Sequence, residues 1–144
     1  MQDEVDDCSV KSEYDMISDI FNFQTLMDHE KFTVKIYKNS VYKGMVNPNN
    51  ERDGQGIYVA DSGLIYEGYW REDKRNGDGY QKFKNGNIYR GAFMNNKPHG
   101  KGVYTWVNGE IYDGEWIQGS KNGFGTWKGI NGDFYKGDWC DNKC

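Results

Sequence analysis

From Tyr42 onward the chain repeats with a period of 23 residues, and few folds tolerate that pattern. Tyrosine recurs at Tyr42, Tyr66, Tyr89, Tyr112 and Tyr135, spaced 24, 23, 23 and 23 residues apart. Of the 19 glycines, all but Gly119 and Gly129 hold a fixed place in the period. One stands two residues after each tyrosine (Gly44, Gly68, Gly91, Gly114, Gly137). A Gly-x-Gly pair follows mid-unit (Gly54/Gly56, Gly77/Gly79, Gly100/Gly102, Gly123/Gly125), and a last glycine precedes the next tyrosine by three (Gly63, Gly86, Gly109, Gly132). A period of this size denotes an array of identical supersecondary units, each too small to bury a core alone.

Four residues after each tyrosine stands Trp70, Phe93, Trp116 or Trp139, with Val46 in the first unit. Tyrosine, glycine and aromatic at i, i+2 and i+4 share one face of a β-strand. A helix would scatter them, and the glycines would weaken it. First strands are therefore expected at Tyr66–Trp70, Tyr89–Phe93, Tyr112–Trp116 and Tyr135–Trp139. Second strands follow the Gly-x-Gly pairs at Gly56–Ala60, Gly79–Lys84, Gly102–Val107 and Gly125–Ile130, where Tyr58, Phe83, Tyr104, Trp106 and Trp127 add further rings. Glycine two residues after each tyrosine leaves room for neighbouring rings to lie flat over the backbone.

Two kinds of connection alternate. Asn85-Gly86, Asn108-Gly109 and Asn131-Gly132 signal tight hairpins with positive φ at both central residues; Ser62-Gly63 is a weaker version. The other connection reads as longer and polar, as in Arg71-Glu72-Asp73-Lys74-Arg75-Asn76. Pro48 and Pro98 fall in connections of this kind, as does the extra residue of the first unit. Consecutive hairpins of this sort give a mainly β, single-layer antiparallel meander. A half-unit precedes it, with Asn39 in the slot that later holds glycine, because asparagine tolerates that backbone region best after glycine.

Tyr89-Arg-Gly-Ala-Phe93, the run from Gly100-Lys-Gly102 to Asn108-Gly109, and Tyr112-Asp-Gly-Glu-Trp116 closely resemble the MORN repeat (membrane occupation and recognition nexus). The resemblance covers about 100 of the 144 residues, as roughly 4.5 tandem β-hairpin repeats in a solenoid. Choline-binding repeats, of similar length, would show adjacent aromatic pairs around each hairpin instead. The resemblance implies a non-enzymatic scaffold or adaptor without cofactor, cytoplasmic, at cytoskeletal, ciliary or membrane-associated structures. It implies a groove for a helical segment of a partner protein, formed here by Tyr66, Trp70, Tyr89, Phe93, Tyr112 and Trp116. Anionic phospholipid is the alternative ligand, and service as the regulatory arm of a phosphoinositide kinase or protein methyltransferase the alternative role.

The charges are unevenly placed. The net charge is −4, yet residues 1–30 carry nine acids and one base, Lys11, for −8, which leaves +4 on the rest. Residues 1–11 are expected to form a disordered acidic tail and 12–30 an amphipathic helix, with the array at 31–144. Met16, Ile20, Phe23 and Met27 set the apolar stripe of that helix, and Ser12 caps it. Its acidic polar face argues against anionic membranes, so it is expected to cap the first sheet edge near Phe32–Tyr37.

Little here suggests chemistry. His29 and His99 stand alone, and the Gly-x-Gly pairs open no helix and precede no Gly-Lys-Ser/Thr, so they are turn glycines. Cys8, Cys140 and Cys144 make neither a disulfide framework nor a metal set, and read as reduced cytosolic thiols. No apolar run is long enough to span a bilayer. Lys74, Arg75, Lys97 and Lys101, with Arg71 and Arg90, form a modest basic edge, the candidate anion contacts; an ordinary mixed surface explains them as well. Nucleic acid is disfavoured because the rings belong to the structural ladder and the pI is 5.2. The sequence stops after Trp139 without that strand's partner, which leaves an open edge for a longer chain, another protein or a second copy.

Overall fold

The period becomes a staircase of hairpins. The computed structural model describes residues 32–144, and the expected tail and helix at 1–30 lie outside them. The strands are β1 (Phe32–Ile36), β2 (Ser40–Val46), β3 (Arg52–Ala60), β4 (Ile65–Arg71), β5 (Lys74–Lys82), β6 (Ile88–Met94), β7 (Lys97–Thr105), β8 (Ile111–Ile117), β9 (Ser120–Lys128) and β10 (Phe134–Trp139). They form one antiparallel sheet in chain order, with no helix among the described residues. The expected half-unit is present, β1 pairing with β2 from Phe32↔Met45 to Ile36↔Val41. Asn39 does not take a left-handed conformation, so it does not stand in for glycine there.

Corresponding glycines face each other across the sheet, as in Gly56↔Gly68 and Gly79↔Gly91. The tyrosine ring fills the space above them. Added Cβ atoms at Gly68 and Gly79 would come within 2.7 and 2.6 Å of the Tyr66 hydroxyl oxygen. Each hydroxyl donates to the carbonyl three residues on, in Tyr42, Tyr66, Tyr89, Tyr112 and Tyr135 alike, at 2.6–3.0 Å. The glycines make room for a ring as expected, but it is the unit's own tyrosine and not a neighbouring ring that fills the space.

The two connections exchange the geometries expected from sequence. The polar connection is the tight one: Glu72-Asp73, Asn95-Asn96 and Gln118-Gly119 carry positive φ at both residues, from 47° to 87°. This is the turn whose twist matches a two-residue hairpin. The second strand of each unit consequently starts earlier than expected, at Arg52, Lys74, Lys97 and Ser120 rather than after the Gly-x-Gly pair. A register shift between Gly68 and Trp70, repeated between Gly91/Phe93 and Gly114/Trp116, absorbs the change. The Asn-Gly connections are three-residue turns instead. Gly86 N–H donates to Phe83 O and Phe83 N–H to Asn87 O, with only Gly86 at positive φ. Asn85 keeps its own φ negative because its side-chain oxygen accepts the Asn87 N–H. The extra residue of the first unit lies in its connection as expected, where Asn47 Oδ1 accepts the N–H groups of Asn49 and Glu51.

Successive units are bolted at the tight turns. Asp73 N–H donates to Arg52 O and Asp73 Oδ1 accepts Arg52 N–H; Asn96 meets Arg75 and Asn142 meets Lys121 in the same way. Pro98 occupies this place in the third unit, as the second residue of β7 rather than in a long loop. It has no N–H, and the residue that would supply the acceptor is Gly119, which has no side chain. The carbonyl half of the joint persists, with Gly119 N–H donating to Pro98 O at 2.8 Å. The missing donor and the missing acceptor coincide.

Candidate binding face

The tyrosine face carries the core. Tyr42, Trp70, Tyr66, Phe93, Tyr89, Trp116, Tyr112, Trp139 and Tyr135 follow one another in an unbroken row. Each ring meets the next edge-on, with centroids 4.9–5.5 Å apart and planes at 82–90°. That arrangement suits the aromatic quadrupole. Three indoles add a hydrogen bond at 3.2 Å to the preceding unit: Trp70 to Gly56 O, Trp116 to Gly102 O and Trp139 to Gly125 O. Phe93 has no N–H to make the fourth.

The structure brings all six expected groove residues into this row, and buries them. Tyr66, Tyr89 and Tyr112 are 0% exposed, and Trp70, Phe93 and Trp116 are 4–5% exposed. They form the floor that holds the sheet together. The surface above them belongs to Tyr58, Phe83, Tyr104, Trp106 and Trp127, half-buried and packed against the row. Burial pushes the hydroxyl pKa values of Tyr42, Tyr66, Tyr89 and Tyr112 up from the ordinary 10.

A second periodic feature, absent from the sequence reading, runs beside the rings. Arg52, Arg75, Pro98 and Lys121 occupy one place in successive units, and three of the four are cations. Arg52 Cζ lies 4.3 Å from the Trp70 ring centre and Lys121 Nζ 4.6 Å from that of Trp139. Arg75 Cζ stands 5.9 Å from both Tyr66 and Phe93. These are cation–π distances. The 23-residue spacing of Arg52 and Arg75 was the available signal, masked by proline at the third place.

The three cations differ in compensation. Arg52 forms an ion pair with Asp73 at 3.1 Å and donates also to the Asp73 carbonyl. Burial opposes ionisation of Asp73, but hydrogen bonds and charge from Arg52 prevail and hold its carboxyl below the usual range. Arg75 donates to Asn96 Oδ1, to Asn96 O and to Gln81 Oε1, all uncharged. Burial works against its charge, and it has no carboxylate partner among the described residues. Lys121 is likewise weakened as a base by burial. Between Arg52 and Arg75, over Tyr58, Leu64 and Trp70, lies a cleft of about 300 Å³.

The four candidate anion contacts do not converge. Lys74 and Lys97 are exposed at equivalent tight turns one unit apart, Lys74 beside Glu72. Arg75 turns into the tyrosine face, and Lys101 pairs in register with Glu115 on the opposite one. Among the described residues no group of three or more His, Cys, Asp or Glu is placed to hold a metal. No helix among them is long and apolar enough to cross a membrane.

Tandem hairpins in one open sheet, bolted unit to unit and presenting a continuous ring-and-cation face, define a repeat module. The MORN repeat family model matches residues 49–65, 66–88, 89–111 and 112–134, and the chain belongs to the MORN-repeat family. A search of curated proteins finds no match. The MORN repeat is generally a non-enzymatic module, consistent with a membrane-associated or protein-binding role.

Proposed function

We propose that this array is a non-enzymatic scaffold that holds a helical segment of a partner protein along its tyrosine face, in the cytoplasm at cytoskeletal or membrane-associated structures. The observation that carries this reading is the cleft between Arg52 and Arg75, in which half-buried rings adjoin a cation lacking a carboxylate partner among the described residues. Rings supply contact area at little entropic cost, and an uncompensated guanidinium rewards a partner that brings a carboxylate. A helical peptide library selected on the immobilised chain tests it. Enriched peptides should lose roughly ten-fold or more in affinity on Arg75→Glu or Tyr58→Ala, measured at a temperature at which circular dichroism shows each variant folded. Failure to enrich any peptide, or binding indifferent to both substitutions, would refute the reading.

Exposed Lys74 and Lys97 support a second reading, attachment to anionic phospholipid. It requires binding to phosphatidylserine vesicles that weakens with salt and on Lys74→Glu with Lys97→Glu. Either role suits a regulatory arm of a larger enzyme.

A further inference from the structure

Asparagine followed by glycine is the backbone step most prone to spontaneous loss of the side-chain amide, because the glycine nitrogen can reach the asparagine Cγ with no side chain in the way. The chain has five such steps, at Asn76, Asn85, Asn108, Asn122 and Asn131. Four are tied down. Asn76 and Asn122 lie inside β5 and β9, with Gly77 and Gly123 in register with Phe93 and Trp139. At Asn85 the Gly86 N–H donates to Phe83 O at 2.9 Å and Asn85 Oδ1 accepts the Asn87 N–H at 3.0 Å. Asn108 repeats both bonds, at 2.9 and 3.0 Å, and its Nδ2 donates to Glu110 Oε1. Asn131 differs in each respect. Gly132 N stands 3.4 Å from Gly129 O, and the Asn131 side chain has no hydrogen-bond partner among the described residues. Its turn begins at Gly129, where the other two begin at Phe83 and Trp106, whose rings pack against the tyrosine row. Asn131, Gly132 and Asp133 are all exposed.

We propose that Asn131 is a modification site, selected by the fold from five Asn-Gly steps for deamidation. Ring closure needs Gly132 N against Asn131 Cγ, so the glycine must leave its turn bond and the amide must be free to rotate. Both movements meet the least resistance here. The Gly132 nitrogen bonds to Cγ, the Cγ–Nδ2 bond breaks, and ammonia departs with the proton that Gly132 gives up. Water then opens the five-membered imide at either of its carbonyls. Attack at Cγ leaves aspartate. Attack at the main-chain carbon leaves isoaspartate, with the backbone running through the former side chain. Either product sets a new carboxylate beside Asp133 in the turn that joins β9 to β10. Isoaspartate also lengthens that turn, which leads into the strand whose Trp139 indole bonds back to Gly125 O.

Peptide mapping by mass spectrometry of the whole chain, aged in mildly alkaline buffer with and without urea, tests this. In the folded chain Asn131 should convert about ten-fold faster than Asn85 or Asn108, since each hydrogen bond it lacks is worth roughly five-fold. In urea the three turn sites should converge to within about three-fold, because the fold no longer distinguishes them. Asn131→Gln should remove the fastest-forming acidic species on isoelectric focusing. The proposal is overturned if Asn131 converts no faster than the other four in the folded chain, or if its lead persists in urea. An acidic species that forms as fast in the Asn131→Gln variant would overturn it too.

Discussion

Gly102 is where the ring of Tyr89 rests on the sheet, and a single methyl group there should be among the most damaging small changes available. A Cβ at this position would lie 2.2 Å from the Tyr89 hydroxyl oxygen, 2.4 Å from Cζ and 2.6 Å from Cε2. Unstrained contact needs roughly 3.5 Å, so the ring must lift by about 1 Å. It is held by its hydroxyl bond to Ala92 O at 2.7 Å and by edge contacts to Phe93 and Trp116 at 4.9 and 5.4 Å. Losing the hydrogen bond costs about 1 kcal/mol, each aromatic pair about 0.5–1.5 kcal/mol, and residual overpacking about 1–3 kcal/mol. Gly102→Ala should therefore cost about 3–7 kcal/mol, a large share of the ~5–15 kcal/mol that stabilises a typical domain. Gly102 is outside the left-handed region, so backbone strain adds nothing. Urea unfolding followed by tryptophan emission measures the loss for Gly102→Ala, Tyr89→Ala and the two together. With the ring gone, the methyl should cost less than about 1 kcal/mol, giving a coupling of about 2–6 kcal/mol. A coupling under about 1 kcal/mol would refute the idea that the glycine exists to seat the tyrosine.

Three further outcomes are expected. Phe93→Trp should place an indole N–H against Gly79 O, as Trp70 does against Gly56 O, and raise stability by about 0.5–1.5 kcal/mol in urea; a loss would show that the second joint cannot accept the larger ring. Glu67 releases its proton near pH 4.5 in the unfolded chain and near pH 8 when folded. Stability should thus be full below pH 4.5 and fall by about 3–5 kcal/mol as pH rises through 8. Glu67→Gln should flatten that fall, and an unchanged pH profile would contradict the assigned burial. The buried tyrosines have raised folded pKa values, so stability should be lost again as pH climbs above 10, visible as phenolate absorbance appearing together with unfolding rather than before it.

The strand pattern was legible because its signal is a period of two carried by rings and glycines, and only one face of a strand satisfies it. Turn geometry was not. Asn-Gly favours two distinct hairpins, and the choice depends on the Asn85 side chain accepting the Asn87 N–H, a contact that composition alone does not specify. Glu72-Asp73 offered no glycine to advertise positive φ, yet cross-unit bonds to Arg52 hold Asp73 there. The six groove residues were correctly placed on one face, but alternation reports which face a residue takes and not what lies above it. Their burial follows from edge-on stacking between units, a non-local property. The cation row was readable at Arg52 and Arg75 and was hidden by Pro98.

The coincidence of Pro98 and Gly119 bears on inheritance. At three joints an acidic or amide side chain accepts a backbone N–H 21 residues earlier, and at the fourth both parties are missing. Had only one changed, a side-chain acceptor would face a ring carbon, or an N–H would lose its acceptor, at a cost of about 1–3 kcal/mol where buried. Units in this array are thus keyed to their neighbours like adjoining pieces of type. Copying the third unit in front of the second would set Pro98 against the Asp73 carboxylate, and deleting the fourth would set it against the Asn142 amide. Deleting the third would leave the Arg75 N–H facing Gly119 without a side-chain acceptor. Growth and shrinkage of such a chain by unequal exchange is confined to joints whose keys still match.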